Sequence, residues 1–243
     1  MNELYIDIGN SFIKAARQKG LNWQRVYRGR IGDEKEFYSW LQNREVDRFI
    51  VCSVVPRICS QLTERFPAER LRILRTEDIP RDKLLYQTPK TFGMDRFLTC
   101  YGAAGQTSRP VVVIDSGSAC TVDFMTEDGV YRGGVIMPGV DLMIEALSRN
   151  IPSLPKPDYH LPDEWPGTTT LDSLRWGTTG AFWGALQNFL GKFETRFGKF
   201  DLFVTGGGTE LIQKLADREG RMDLKVRPYL IFEGMVNIIG SEQ

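Results

Sequence analysis

A single histidine, His160, stands among 243 residues, so histidine triads, two-histidine metal sites and imidazole relays are all but excluded. The four cysteines, Cys52, Cys59, Cys100 and Cys120, include no C-x-x-C pair, and three lie in apolar or helical surroundings. That is the pattern of reduced core thiols rather than of disulfides or zinc ligands. No window reaches the ~18 apolar residues of a membrane span, and the first residues, Met1 to Asp7, lack a positive segment followed by an apolar one. A cytoplasmic protein with no membrane partner is expected. Charge of one sign is also missing: 31 Lys and Arg stand against 31 Asp and Glu, with no long basic run, which argues against a nucleic-acid partner. The G-x-x-x-x-G-K-[ST] pattern and a G-x-G-x-x-G after a strand are absent too, so a phosphate site here is neither a P-loop nor a dinucleotide fingerprint. Catalysis must lean on carboxylates, hydroxyls, backbone amides and cations.

The length allows roughly one or two domains at ~100–200 residues each, and 42% hydrophobic residues supply a core. Leu4-Tyr5-Ile6 and Phe12 to Arg17 read as two strands of a hairpin around Asp7-Ile8-Gly9-Asn10-Ser11, closed by the Lys19-Gly20 turn. A helix over Asp33 to Arg44 and a buried strand at Phe49 to Cys52 imply α/β layering. Further helices are expected over Pro56 to Phe66, Met94 to Ala104 and about Asp172 to Phe197, with a strand at Leu71 to Leu74 and a long loop from Thr76 to Phe92. The small polar cluster Gln106 to Pro110 marks a boundary, giving two lobes, 1–108 and 109–243.

The chain then repeats itself. Val113-Ile114-Asp115-Ser116-Gly117-Ser118-Ala119 matches Tyr5-Ile6-Asp7-Ile8-Gly9-Asn10-Ser11 in strand, Asp, Gly and small polar residue, and each is followed by a second strand and a turn. More loosely, Phe49 to Ser53 is echoed by Leu202 to Gly208. A strand ending in Asp before a glycine bend suits a nucleotide: glycine admits close approach, amides and a hydroxyl donate to phosphate, and the carboxylate holds Mg²⁺ directly or through water. One such turn is common hairpin chemistry, but two in duplicated halves would face each other and clasp a triphosphate. Gly206-Gly207-Gly208, after the strand ending at Thr205, lets a flat adenine or its ribose lie against the backbone.

In this order, Asp7-Ile8-Gly9-Asn10-Ser11, Tyr86-Gln87-Thr88-Pro89, Gly93-Met94-Asp95-Arg96, Asp115-Ser116-Gly117-Ser118-Ala119, Gly133-Gly134 through Pro138-Gly139, Gly206-Gly207 and Pro228 to Gly234 resemble type III pantothenate kinase, the Bvg accessory factor family of the actin-like and sugar-kinase ATPase superfamily. The resemblance covers essentially the whole chain. It implies two duplicated ribonuclease-H-like lobes, each a mixed central sheet flanked by helices, a homodimer with the acceptor pocket near the subunit interface, and ATP-dependent phosphorylation of pantothenate at the entry to coenzyme A synthesis. It also implies Mg²⁺ with ATP and a monovalent cation, K⁺ or NH₄⁺. Position by position, Asp7, Ile8, Gly9, Asn10, Ser11, Phe12, Ile13 and Lys14 would bind ATP, with Ser118 on phosphate and Gly206-Gly207 at the nucleoside. Tyr86, Gly93, Met94, Asp95 and Arg96 would bind pantothenate, Asp95 would accept the proton with Arg96 as its cationic partner, and Asp115 would hold the monovalent cation.

Two departures stand out. The family's Asn-Thr pair before its long helix maps onto Asp172-Ser173, with Ser173 as a pantothenate contact, and Ser116 replaces a bulky apolar residue beside the cation site. The competing reading is a regulatory or accessory protein that kept the nucleotide fold and lost catalysis. Asp7, Asp95, Arg96 and Asp115 argue against it, because a non-catalytic descendant has no chemical need for all four. An actin-like polymer is disfavoured by the short chain, which leaves no room for extra subdomains.

Overall fold

The computed structural model describes residues 2–20, 22–220 and 223–241. Along the chain come β1 (Glu3–Ile8), β2 (Phe12–Lys19), β3 (Asn22–Arg30), α1 (Glu34–Gln42), β4 (Arg48–Ser53), α2 (Pro56–Arg65), β5 (Leu71–Leu74) and α3 (Met94–Ala104). Next are β6 (Val111–Ser116), β7 (Ala119–Met125), β8 (Tyr131–Pro138), α4 (Val140–Asn150), α5 (Thr170–Arg175), α6 (Ala181–Phe197), β9 (Asp201–Thr205), α7 (Thr209–Glu219), β10 (Leu224–Val226) and α8 (Leu230–Gly240). They form two compact units: Met1–Ser108 with Met125–Arg132 and Tyr229–Gln243, and Arg109–Phe124 with Gly133–Pro228.

The first unit's sheet runs β3-β2-β1-β4-β5. Strand β1 is antiparallel to β2 and parallel to β4, and so is paired on both edges. Its even residues Leu4, Ile6 and Ile8 join Phe49 and Val51 of β4 in one core with Phe37 and Leu41 of α1 and Ile58 and Leu62 of α2. Since successive residues of a strand point to opposite faces, the odd residues Tyr5 and Asp7 lie on the other side. There Tyr5 meets Trp23, which packs on Phe232 of α8, and helices α3 and α8 cover that face by packing on each other and on β4 and β1. The strands expected at 4–6, 12–17, 49–52 and 71–74 and the first three helices are in place. The stretch from Thr76 to Phe92 holds two short 3₁₀ turns, Thr76–Asp78 and Pro89–Thr91.

The second sheet runs β10-β9-β6-β7-β8, which read backwards is the same order as the first. Strand β6 is parallel to β9 as β1 is to β4, so the repeat read from the Asp-X-Gly turns extends over five strands. Val112, Ile114, Leu202 and Val204 form its core with Ile144 of α4, Phe182, Trp183 and Leu186 of α6 and Ile212 of α7. The helix expected over about Asp172 to Phe197 starts two residues earlier, at Thr170, and is interrupted by a π-helical turn, Trp176–Gly180.

Helices α3 and α8 touch backbone to backbone. A Cβ on Gly234 would lie well inside contact distance of the Leu98 carbonyl oxygen, and one on Gly102 would meet the Leu230 carbonyl oxygen in the same way. Replacing glycine by alanine inside a helix normally gains ~0.5–1 kcal/mol, but forcing two rigid backbones apart costs ~1–3 kcal/mol or more. Gly234→Ala should therefore lower the melting temperature, whereas Gly191→Ala in α6, where a Cβ meets nothing within 4 Å, should leave it unchanged or raise it. Thermal melts of both variants check this, and a Gly234→Ala protein as stable as wild type contradicts the close-packing account.

Candidate active site

In the first unit the Asp7 turn is closed by the Gly9 N–H donating to the Phe12 carbonyl at 3.0 Å. Asn10 at its tip is exposed and Ser11 half-buried. Ile8 and Ile13 are buried in the core of the first unit. Asp7 pairs in register with Lys14 across β1 and β2, and the Lys14 ammonium donates to its carboxylate at 3.4 Å. Phe12 carries the Arg28 guanidinium 4.0 Å above its ring. Burial holds the Asp7 carboxyl above its ordinary range, and Lys14 only partly opposes this.

Helix α3 begins after its N-cap, Gly93. The Asp95 carboxylate accepts from the Arg96 N–H at 2.9 Å and stands so close to Gly93 that a Cβ there would strike it. Met94 and Arg96 are buried. Buried Cys52, the in-register neighbour of Asp7 on β4, has its thiol pushed well up by burial and then by the carboxylates of both Asp7 and Asp95. Helix α3, with Asp95 in its first turn, packs on β4, the strand beside Asp7. Tyr86 packs on Phe92 with centroids 4.9 Å apart.

In the second unit the equivalent turn is one residue shorter: the Gly117 N–H donates to the Ala119 carbonyl at 3.0 Å. Asp115, half-buried at the end of β6, pairs in register with Thr205. Gly206 has φ +91°, and a Cβ there would meet the Ser116 carbonyl oxygen and, at 2.5 Å, Asp115 Oδ1. The Ser116 side chain is buried against Gly208, whose N–H donates to the Ser116 carbonyl at 2.8 Å. The small residue at 116 thus matches a close approach by the glycine turn. Exposed Ser118 accepts the Gly139 N–H at 2.9 Å through its carbonyl, docking the N-terminus of α4 on this turn. Gly207 follows in the open turn, where a Cβ meets nothing within 4 Å.

Asp172 and Ser173 lie inside α5 rather than before it. The N-cap is Thr169, whose hydroxyl accepts the Asp172 N–H at 3.1 Å and donates to its carboxylate at 2.8 Å. Hydrogen bonds from Thr169 and Arg175 hold the Asp172 carboxyl below its usual range. The Ser173 hydroxyl donates to the Gly167 carbonyl at 3.2 Å. The pair standing at the helix start is Thr169-Thr170, two hydroxyl residues that the position of the cap, once located, would have marked in the sequence.

Two five-stranded sheets of matching strand order, each with an Asp-X-Gly turn after its central strand, define the duplicated actin-like and sugar-kinase ATPase fold. Two solved structures share this fold. A Baf family protein from Campylobacter jejuni has a TM-score of 0.69 at 22% identity, covering 98% of both chains. The activator of 2-hydroxyisocaproyl-CoA dehydratase from Clostridium difficile, with bound ADPNP, has 0.55 at 10% identity, covering 100% of this chain and 96% of its own. Residues 3–192 match the type III pantothenate kinase family profile, and the chain belongs to that family. A type III pantothenate kinase from Chlorobaculum parvum is 39% identical over 142 residues, which is 56% of this chain and spans about half, 52%, of that relative's length.

The Asp7 environment sets a stability trade. Because its folded pKa is raised, folding disfavours the ionised form, so the penalty grows as pH rises from the ordinary carboxylate range through the folded value and is full above it. Asp7→Asn should be at least as stable as wild type at neutral pH, with the difference shrinking in acid. Melting temperatures of both proteins from pH 4 to 8 test this. A variant destabilised equally at every pH would contradict it.

Proposed function

We propose that this chain carries out the reaction of its family, transferring the γ-phosphoryl group of ATP to the hydroxyl of pantothenate to give 4'-phosphopantothenate, the first step of coenzyme A synthesis. The observation that carries the reading is that α3, with Asp95 in its first turn, packs on β4, the strand that lies in register beside Asp7. Phosphoryl transfer through a loose transition state needs chiefly alignment and charge neutralisation. Asp95, at the start of α3, is suited to orient the acceptor hydroxyl and take its proton. Arg96 offers a planar fork to the pantothenate carboxylate or the migrating phosphoryl oxygens. Gly9, Asn10 and Ser11 are donors for phosphate in the first unit, where Lys14 stands beside Asp7, and Ser118 is the donor in the second; Gly206 and Gly207 make room for the nucleoside, and Tyr86, Gly93 and Met94 border the acceptor.

Mg²⁺ suits the buried Asp7 carboxylate, a hard oxygen ligand whose burial rewards a cation. The Asp115 carboxylate and the Ser116 carbonyl, both crowded against Gly206, are oxygen donors suited to K⁺ or NH₄⁺, which would screen bound anionic groups. Ile136, Leu142, Tyr159 and Trp165 are large apolar side chains left exposed on one chain, which supports the homodimer. No helix among the described residues is long and apolar enough to cross a membrane, which fits action in the cytoplasm.

A kinase assay with pantothenate, ATP, Mg²⁺ and K⁺ tests the reading. Asp95→Asn should lose ~10²–10⁴-fold in rate with the fold intact, and a variant within threefold of wild type would remove Asp95 from the chemistry. Rates over a KCl series at constant ionic strength should rise with K⁺ and stay low in sodium, and Asp115→Ala should abolish the response. Full activity in sodium buffer would place the cation elsewhere. Comparing Ser173→Ala with Thr170→Val decides which hydroxyl the acceptor uses, the affected variant being the one whose KM for pantothenate rises.

A further inference from the structure

We infer that Phe92 and Tyr131 are positioning residues of the phosphoryl-transfer site, two rings that flank the Arg96 guanidinium and fix where its fork points. The inference rests on the role proposed above for Arg96. The guanidinium carbon lies 5.8 Å from the centroid of the Phe92 ring and 5.8 Å from that of Tyr131, within the ~6 Å over which a ring face attracts a cation. The rings meet edge to face, centroids 4.8 Å apart at 61°, so they form two walls of a corner rather than one stack. Tyr86 closes the outer side, 4.9 Å from Phe92 and 6.3 Å from Tyr131.

The corner is built from three separate stretches of chain. Phe92 directly precedes the N-cap of α3, and Arg96 sits in the first turn of that helix. Tyr131 arrives from a hairpin 35 positions further along, and its side chain is wholly buried. Its backbone is tied to the segment leading to Tyr86: the Tyr131 N–H donates to the Lys83 carbonyl at 2.8 Å and the Leu85 N–H to the Tyr131 carbonyl at 3.0 Å. Lys83 in turn donates through its ammonium to the Asp128 carbonyl at 2.6 Å. A corner needed only to fill space would be served by aliphatic side chains, whereas aromatic faces with their negative quadrupoles are turned to the one buried arginine of this unit's described residues. An arginine so held meets an anion with its rotamers already restricted, and that pre-organisation is what positioning supplies.

The test is a double-mutant cycle read in steady-state kinetics. Tyr131→Leu and Phe92→Leu should each lower kcat/KM for pantothenate by tenfold or more while KM for ATP stays within twofold, and Tyr131→Phe, which keeps the ring face, should stay within threefold of wild type. Added to Arg96→Lys, Tyr131→Leu should cost less than a further twofold, because the group it positions is gone. An equal loss in both backgrounds, or a Tyr131→Phe as impaired as Tyr131→Leu, overturns the inference. A second readout does not depend on turnover. The Arg96 Nε–H resonance, assigned by its disappearance in Arg96→Lys, should be ring-current shifted and slow to exchange in the wild-type protein. An unshifted, fast-exchanging signal also overturns the inference. A wild type that fails to phosphorylate pantothenate but shows the shifted resonance would sink the functional reading and leave the corner standing.

Discussion

Gly102 and Gly234 let α3 and α8 approach until the carbonyl oxygens of Leu98 and Leu230 occupy the space where side chains would begin. Asp95 and Arg96 sit one and two residues into α3, so the position of that helix against the sheet decides where the carboxylate and the guanidinium lie relative to Asp7. Contact between backbones leaves no rotamer to adjust, and a packed interior transmits displacement rather than absorbing it. Helix α8 is the last element of the chain, yet it belongs to the unit containing the first. The geometry of the candidate acceptor site is therefore completed only when β1 and α8, far apart in the sequence, have come together.

The duplicated halves share a strand order but have diverged where the chemistry is expected. The first turn has an exposed Asn10 at its tip and sets Lys14 directly across from Asp7. The second is shorter by one residue, and Ser116, which leads into it, is pressed against Gly208. A bulky side chain at 116 would collide with the glycine turn as it stands, so Ser116 and the close approach of Gly208 belong together. The first copy keeps an ammonium beside its acid, whereas the acid of the second stands against the Gly206 turn.

Much of this was legible locally. Asp7 and Asp115 announce themselves because a strand, an acid and, two residues later, a glycine follow in order, and Pro56 marks a helix start by its own backbone chemistry. The third strand, Asn22–Arg30, escaped because four of its nine residues are Arg or Gln and it lies at the edge of the sheet, where the apolar alternation that betrays a strand is weak. Helix α4 follows Pro138-Gly139 directly and was hidden by it. Reading the long helix from about Asp172 instead of Thr170 moved a residue pair defined by the helix start into its first turn, an instance of boundaries being the least certain part of any pattern. Nothing local could reveal the π-helical turn at 176–180, nor Tyr131 beside Arg96, since that contact depends on a hairpin returning to a helix.

Charge burial links the parts. Removing a carboxylate from water without full compensation is expensive, and Lys14, itself partly exposed and 3.4 Å away, offsets only part of that for Asp7. Arg96 is buried as well, with ring faces among its neighbours. The same sheet face thus carries a carboxylate whose burial a cation offsets and, in the first turn of α3, a guanidinium held among aromatic rings. In poorly hydrated surroundings each attraction is stronger than it would be in bulk water. Folding energy given up at Asp7 can reappear as binding energy when a cation arrives beside its carboxylate.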